Sequence, residues 1–245
     1  MEYADGPFDD VRVRRALNLA IDRAEIARMY GGRAAATPIC QPLPHGLLGY
    51  RPYCPYTHAP NARGVWRAPD LAAARKLVAE SRTKGMLVDV WGVANQLGVP
   101  RGLPGYVASV LRSLGYRTRV HVVAAQRITN AMRRTFQLSV DGDWAPDYPQ
   151  PSSFLPQFFG CHGGYSNGYV CDPVLDRMMV RATSLQLSHP EQAAALWEKV
   201  DRRIVDQAYW VPTVNAHPPA LVSKRLRNYQ YNPIWDFSPA QAWVR

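Results

Sequence analysis

Apolar residues in the first part of the chain recur at i, i+3, i+4 and i+7, the spacing of an amphipathic helix. Asp9-Asp10 is predicted to cap this helix, which runs to about Tyr30 and ends at Gly31-Gly32. Its apolar face consists of Val13, Ala16, Leu17, Ala20, Ile21 and Ala24. The polar residues that fall mostly elsewhere on the helix are Arg12, Arg15, Asn18, Asp22 and Arg23.

A second amphipathic helix is predicted to begin at Asp70, after a long irregular region at about 33–68. Its inward residues are Leu71, Ala74, Leu77 and Val78. The patterns that follow predict strand 86–91, helix 103–115, strand 117–123, helix 125–134 and strand 136–140. The first three of these elements, joined by short links, form a βαβ unit, which places two parallel strands in one sheet.

Two more helices are predicted in the C-terminal part, each with proline in its first turn. Asp172-Pro173 opens the first, whose apolar row is Leu175, Met178, Met179 and Ala182. Pro190 opens the second, with Ala193, Trp197, Val200 and Ile204 in phase. Late strands are expected at 210–214 and 221–222, the first near a sheet edge because of Pro212. The whole pattern predicts one α/β (α+β) domain, with helices packed on a mixed sheet.

Between the third strand and these helices lies the segment 143–151, in which aromatic rings frame a carboxylate. Trp144 and Tyr148 flank Asp147, and prolines restrict the backbone on either side, so a stiff loop is predicted. Rigid aromatics around one acid can hold a cationic or amine-bearing small molecule through ring faces and a charge-assisted hydrogen bond. The alternative is a proline-rich surface turn with a packed tryptophan.

The four cysteines form two local pairs in segments rich in glycine and proline. Pairing of Cys40 with Cys54 and of Cys161 with Cys171 is predicted, which indicates an oxidising compartment. Crossed pairing remains open, as do four free thiols in a cytosolic protein. Histidines lie near both pairs, but a C-x2-C spacing is missing, so a zinc site is disfavoured.

Composition narrows the class of protein. The chain is 47% hydrophobic and 20% charged, which is typical of a globular protein. Its net charge of +10 comes from scattered basic residues, without the basic stripe or module of a nucleic-acid binder. No signal peptide is apparent, which predicts a cytoplasmic protein or a piece of a longer one. Nucleophile-elbow, P-loop, metalloprotease and dinucleotide-binding motifs are lacking, so an enzyme is not expected.

The order of these motifs resembles that of the C-terminal lobe of ABC-transporter solute-binding proteins of family 5, the dipeptide-, oligopeptide- and nickel-binding group. The matching stretches are the helix from Phe8 to Arg23, the helix from Asp70 to Ala79, Trp144 with Asp147-Tyr148-Pro149 and Phe154-Leu155, Asn167 and Tyr169 before Asp172-Pro173, and Tyr209-Trp210-Val211-Pro212. The specificity of the resemblance comes from the occurrence of five motifs in the family's order. Two stretches at 41–44 and 49–56 further resemble an actinobacterial subgroup, in which the module is often fused to regulatory or kinase-like parts.

The resemblance implies a periplasmic-binding-protein-like type II lobe that spans residues 1–245 and closes with a missing N-terminal lobe around a ligand. The parent protein would be extracytoplasmic, non-enzymatic and free of cofactors, and would deliver a peptide-like or amine-bearing solute to an ABC permease. One lobe alone leaves half a cleft, so weak binding or none is expected from this chain by itself. The alternative is a sensory or interaction module of a larger regulatory protein, with a degenerate ligand pocket.

By the same resemblance, Asp147 pairs with the α-amine of a peptide, and Trp144 forms an aromatic wall of the cleft. Tyr148, Asn167 and Tyr169 line the site. Core packing remains an alternative for both tyrosines, and a turn role remains an alternative for Asn167.

The chain departs from the family pattern at two places. Oligopeptide binders carry an arginine shortly before the tryptophan, whereas this chain has Asp141 and Asp143. These acids would repel a carboxylate and favour a cation, which adds Asp141 to the candidate ligand-binding residues. The family's second acid after the Tyr-Pro pair is Gln150 here, so amine-bearing and sugar-like ligands stay open beside peptides.

Overall fold

The computed structural model describes residues 6–94, 99–125, 137–140, 146–164, 171–217, 220–232 and 236–245. The α-helices in these ranges are α1 (Val11–Ala20), α2 (Arg23–Met29), α3 (Leu71–Ser81), α4 (Leu103–Ser113), α5 (Leu155–Phe159), α6 (Pro173–Leu185) and α7 (Pro190–Asp206). The strands are β1 (Ala36–Pro38), β2 (Leu87–Ala94), β3 (Arg117–Ala124), β4 (Leu138–Val140), β5 (Val214–Ala216), β6 (Leu226–Arg227), β7 (Tyr231–Asn232), β8 (Asp236–Phe237) and β9 (Trp243–Val244). The helix predicted at 125–134 lies outside the described residues, apart from its first position.

The N-terminal helical region consists of two helices, so the prediction of one continuous helix was wrong. Asp10 caps α1 as predicted, since it accepts a hydrogen bond from the backbone nitrogen of Arg12 at 2.8 Å. The backbone becomes extended at Ile21, and Asp22 then starts α2 by accepting bonds from two backbone nitrogens of its first turn, at 2.9 and 3.0 Å. Gly31-Gly32 follows α2 with φ of 107° and 91°, which confirms the predicted end of the helix.

This break changes which side chains of α2 are buried. Contrary to the predicted faces, Arg23 is fully buried and Ala24 is exposed. The Nε of Arg23 donates to the carbonyl oxygens of Ile39 at 2.8 Å and Pro212 at 2.9 Å. Its Nη1 donates to the carbonyl oxygen of Asn18 at 3.0 Å. Burial lowers the pKa of Arg23 to about 10, so the guanidinium stays charged at neutral pH and joins α2 to the segments beside β1 and β5.

Three parallel strands form the largest sheet of the described residues, in the order β3-β2-β4. β2 and β3 are aligned from Leu87 opposite Arg117 to Ala94 opposite Ala124, and α4 connects them, which confirms the predicted βαβ unit. β1 and β5 pair antiparallel in a separate sheet. The α/β class is therefore confirmed, with parallel and antiparallel pairing in different sheets.

The late strands differ from the prediction. β5 begins only at Val214, and side chains bind two carbonyl oxygens of the segment before it. Asn18 donates from Nδ2 to the carbonyl oxygen of Trp210 at 3.0 Å, and Arg23 donates to that of Pro212. Residues 221–222 are exposed and belong to no strand, and within the described ranges the short strands pair as β6 with β9 and β7 with β8.

Two hydrophobic clusters hold the helices in place. The first joins α1, α3 and α4 to the parallel sheet, and the second joins α5, α6 and α7 around the fully buried Trp197. The predicted inward faces of α6 and α7 are confirmed, with Met178 only partly buried. On α3, Ala74 and Val78 are buried as predicted, but Leu71 at the start of the helix is 37% exposed. Among the described helices, none is both long and apolar enough to cross a bilayer.

The cysteines are bonded locally, Cys40 to Cys54 and Cys161 to Cys171, which confirms the predicted pairing and excludes the crossed one. Replacing Cys40 and Cys54 together by serine is expected to lower the free energy of unfolding by about 3 kcal/mol, because their bond closes a loop in the unfolded chain. Urea denaturation of the oxidised native and variant chains measures this loss. Equal denaturation midpoints would show that noncovalent contacts alone hold this loop.

Candidate ligand-binding site

The carboxyl ends of the three parallel strands define the candidate site. β3 and β4 lie on opposite sides of β2, so the strand order reverses its direction across the sheet after β3. Ligands of open α/β sheets bind outside the carboxyl ends of the strands, where the strand order reverses. β4 ends at Val140, and the segment that follows leads directly to Asp147.

A cavity of about 130 Å³ lies at this end of the sheet. Its lining includes Val93 of β2, Val122 of β3, Val140 of β4 and, near the start of α4, Arg101 and Pro104. Gly92 allows α4 to approach β2 closely, since a Cβ there would lie 2.4 Å from Cγ of Pro104. The cavity is small and mainly apolar, which suits a single aliphatic group. No group of three His, Cys, Asp or Glu residues in the described ranges is placed to hold a metal ion.

Asp147 and Tyr148 are the predicted ligand-binding residues that the structure describes. Asp147 is exposed, and no described cation forms an ion pair with its carboxylate. Tyr148 is 45% exposed, and its hydroxyl lies 3.2 Å from that of Ser152, so core packing does not account for this ring. An accessible carboxylate beside an accessible ring can hold an ammonium group by charge and by contact with the ring face.

Hydrogen bonds and buried residues on its C-terminal side hold this loop in place. The backbone nitrogen of Gln150 donates to the carbonyl oxygen of Tyr148 at 2.7 Å. Ser153 donates to the carbonyl oxygen of Gln150 from its backbone nitrogen at 3.0 Å and from Oγ at 2.7 Å. Phe154 and Leu155, which follow, are buried in the second hydrophobic cluster. A loop fixed in this way loses little conformational freedom when a ligand binds.

The remaining predicted ligand-binding residues, Trp144, Asp141, Asn167 and Tyr169, lie outside the described residues. The Cys161–Cys171 disulfide closes the segment that carries Asn167 and Tyr169. At one end of that segment, the backbone nitrogen of Cys161 donates to Oδ1 of Asp176 on α6 at 3.2 Å.

At the other end of the segment, Asp172 connects three elements, a role that its sequence position at a helix start does not reveal. Oδ1 of Asp172 accepts from the backbone nitrogens of Val174 at 3.0 Å and Leu175 at 3.2 Å, as predicted for the start of α6. Arg203 binds both carboxylate oxygens, at 2.6 and 3.0 Å, and the Tyr209 hydroxyl donates to Oδ2 at 3.1 Å. Burial alone would raise the pKa of Asp172, but the bonds from Arg203 and the helix amides lower it.

A buried aspartate on α7 holds the first disulfide loop, and the sequence reasoning missed it. Asp201 is 2% exposed and accepts hydrogen bonds from the backbone nitrogen of Leu43 at 2.9 Å and from Nε2 of Gln41 at 2.6 Å. The side-chain oxygen of Gln41 in turn accepts from the backbone nitrogen of Tyr53 at 2.7 Å. Burial raises the pKa of Asp201 to about 7, although the two hydrogen bonds act in the opposite direction.

A known protein family matches more than half of this chain. The family described as bacterial extracellular solute-binding proteins, family 5 Middle, matches residues 1–166. The probable di/tripeptide-binding protein 5 of Pseudomonas aeruginosa is 29% identical over 242 residues, which cover 95% of this chain and 43% of that protein. Di/tripeptide-binding protein 2 of the same species is 26% identical over 250 residues, with the same two shares.

Solved structures show the same fold. The Escherichia coli murein tripeptide binding protein MppA matches with a TM-score of 0.78 at 19% sequence identity, over 98% of this chain and 46% of that one. This likeness confirms the periplasmic-binding-protein-like architecture expected from the sequence. The chain spans less than half the length of the relatives that it matches.

Proposed function

The chain belongs to family 5 of the bacterial extracellular solute-binding proteins, and we propose that residues 1–245 form the C-terminal lobe of a two-lobed protein that closes around its ligand. The companion lobe comes from polypeptide outside this chain, since the chain covers only 43% of the first relative. The whole protein acts outside the cytoplasm without catalysis and passes its solute to an ABC permease. The two disulfides support an oxidising location.

The ligand is a peptide-like or other amine-bearing small molecule with an aliphatic group. The observation that carries this proposal is the exposed carboxylate of Asp147 on a loop fixed by hydrogen bonds, which follows β4 in the chain. Asp147 takes the ammonium group, and the cavity beside Val93, Val122 and Val140 takes the aliphatic group. The di/tripeptide-binding relatives agree with a ligand of this size and charge.

The other predicted residues complete the site in this proposal. Trp144 and Tyr148 supply ring faces for the ammonium group. Asp141 adds negative charge that favours a cation over a carboxylate. Asn167 and Tyr169 line the cleft from the segment that the second disulfide closes.

In the protein that contains both lobes, Asp147→Asn is expected to lower the affinity for short peptides about ten- to hundredfold. A hydrogen bond to a charged partner is worth about 1.5–3 kcal/mol, and the amide keeps the shape but loses the charge. Isothermal titration calorimetry with dipeptides and tripeptides measures the change. Asp9→Asn, which removes an exposed carboxylate near the N-terminus, is the matched control and should bind like the native protein.

The peptide amine provides a second test of the same contact. N-acetylated peptides, which lack the ammonium group, should bind the native protein as weakly as free peptides bind the Asp147 variant. Unchanged affinity of the variant for free peptides would remove Asp147 from the site. A complete lack of peptide binding by the two-lobed native protein would instead favour a sensory or interaction module.

A further inference from the structure

Four cations and an exposed methionine lie in the segments that lead into β2 and β3 at the amino end of the parallel sheet, opposite to the candidate ligand site. This surface, called here the Met86 platform, consists of Arg82, Lys84, Met86, Arg112 and Arg117. All five residues are exposed, and Met86 is 41% exposed although it is apolar. β2 has eight residues, so the platform lies about 26 Å from the carboxyl end of the sheet.

Backbone hydrogen bonds make the platform a fixed surface. The backbone nitrogen of Gly85 donates to the carbonyl oxygen of Gly115 at 2.9 Å, and that of Arg117 donates to Met86 at 3.0 Å. Arg117 also donates from Nε to the carbonyl oxygen of Gly85 at 3.0 Å. Arg112 donates from Nη1 to Oγ1 of Thr118 at 2.7 Å. The guanidinium groups of Arg112 and Arg117 each use one of their five N–H groups in these bonds, and the others stay available to a partner.

The charge on this surface is nearly all positive. Within residues 79–86 and 110–119, Glu80 is the one acid, and it lies 4.0 Å from Lys76. Arg82 and Arg112 stand at the ends of α3 and α4, where a cation also interacts favourably with the helix dipole. That interaction explains the position of two cations, but it does not explain an exposed methionine between them.

We propose that the Met86 platform docks on the surface of an anionic lipid bilayer. Clustered cations attract acidic headgroups, and an apolar side chain among them can enter the boundary between headgroups and acyl chains. A soluble polyanion would be attracted to the cations but would make no apolar contact with the methionine.

The test is sedimentation of the full chain with vesicles of phosphatidylglycerol and phosphatidylcholine, and with vesicles of phosphatidylcholine alone. The chain is expected to bind only the anionic vesicles. Arg82→Gln with Lys84→Gln should weaken this binding about 25-fold, since each cation near an anionic surface contributes about a fivefold factor. The matched control is Arg177→Gln with Arg181→Gln on α6, which removes the same charge from exposed positions and should change binding by less than about threefold.

Met86→Ser separates docking from simple charge attraction. It should weaken binding to anionic vesicles about fivefold without changing the net charge, because it removes the apolar contact. Equal losses in the platform and α6 double variants would overturn the proposal, since the net charge of +10 would then act without a preferred surface. Native binding by the Met86 variant, or no binding of the native chain to anionic vesicles, would also overturn it.

Discussion

As the pH rises from about 4 to about 8, the free energy of unfolding of the native chain is expected to fall by on the order of 4 kcal/mol more than that of its Asp201→Asn variant. Burial raises the pKa of Asp201 to about 7 in the folded protein, from the ordinary value of 3.8. The folded protein therefore keeps a proton that the unfolded chain releases. This contribution to stability is complete below about pH 4 and is lost as the pH rises through about 7. Asparagine does not titrate, so the stability of the variant does not change with pH through this position.

Urea denaturation at a series of pH values, followed by the fluorescence of the buried Trp197, measures the difference between the two proteins. The new amide of the variant meets the donor Nε2 of Gln41, so the variant should be less stable at about pH 4, and the gap should close as the pH rises. Asp147→Asn changes an exposed aspartate and should follow the native curve. Parallel curves for the native chain and the Asp201 variant would show that Asp201 is ionised in the fold throughout this range.

The sequence predicts α6 and α7 well because apolar side chains fill every turn of their buried faces and proline marks each start. The same reasoning fails at the end of α1, where the apolar period continues across a break. Asp22 and Glu25 have the spacing of a capping box, which is a local signal for a new helix. The burial of Arg23 had no such signal, because two of its acceptors, Ile39 and Pro212, belong to other segments.

The candidate site, like the fold, has one part that the sequence predicts and another that it does not. The stiff loop of Asp147 could be predicted because its prolines and aromatic residues are neighbours in sequence. The cavity could not, because its walls come from three strands that only the fold brings together. Asp201 lies four positions after Trp197, in the buried row of α7, which indicates a buried acid. Its partners Gln41 and Leu43 lie 160 and 158 positions away, so the sequence gives no sign of what it binds.

Replacement of Arg23 by methionine is expected to lower the free energy of unfolding by about 3–5 kcal/mol. Methionine fills similar space but leaves the carbonyl oxygens of Asn18, Ile39 and Pro212 without their shared donor in a dry interior. Arg23→Lys should lose less, because it keeps the charge, but an ammonium cannot reproduce the planar fork that reaches all of these acceptors. Urea denaturation of the three proteins at neutral pH measures both losses.

Arg28→Met is the matched control, because Arg28 belongs to the same helix and is 68% exposed beside Glu25. It should change stability by less than about 1 kcal/mol. Hydrogen exchange gives a second measurement, since Arg23 joins α2 to the segments that lead out of β1 and into β5. Relative to the native chain, the Arg23→Met variant should show a larger increase in exchange rate for the amides of the β1–β5 ladder than for those of β2 and β3. Equal stabilities of the Arg23 and Arg28 variants would mean that hydrophobic packing, and not the buried guanidinium, holds this ladder on α2.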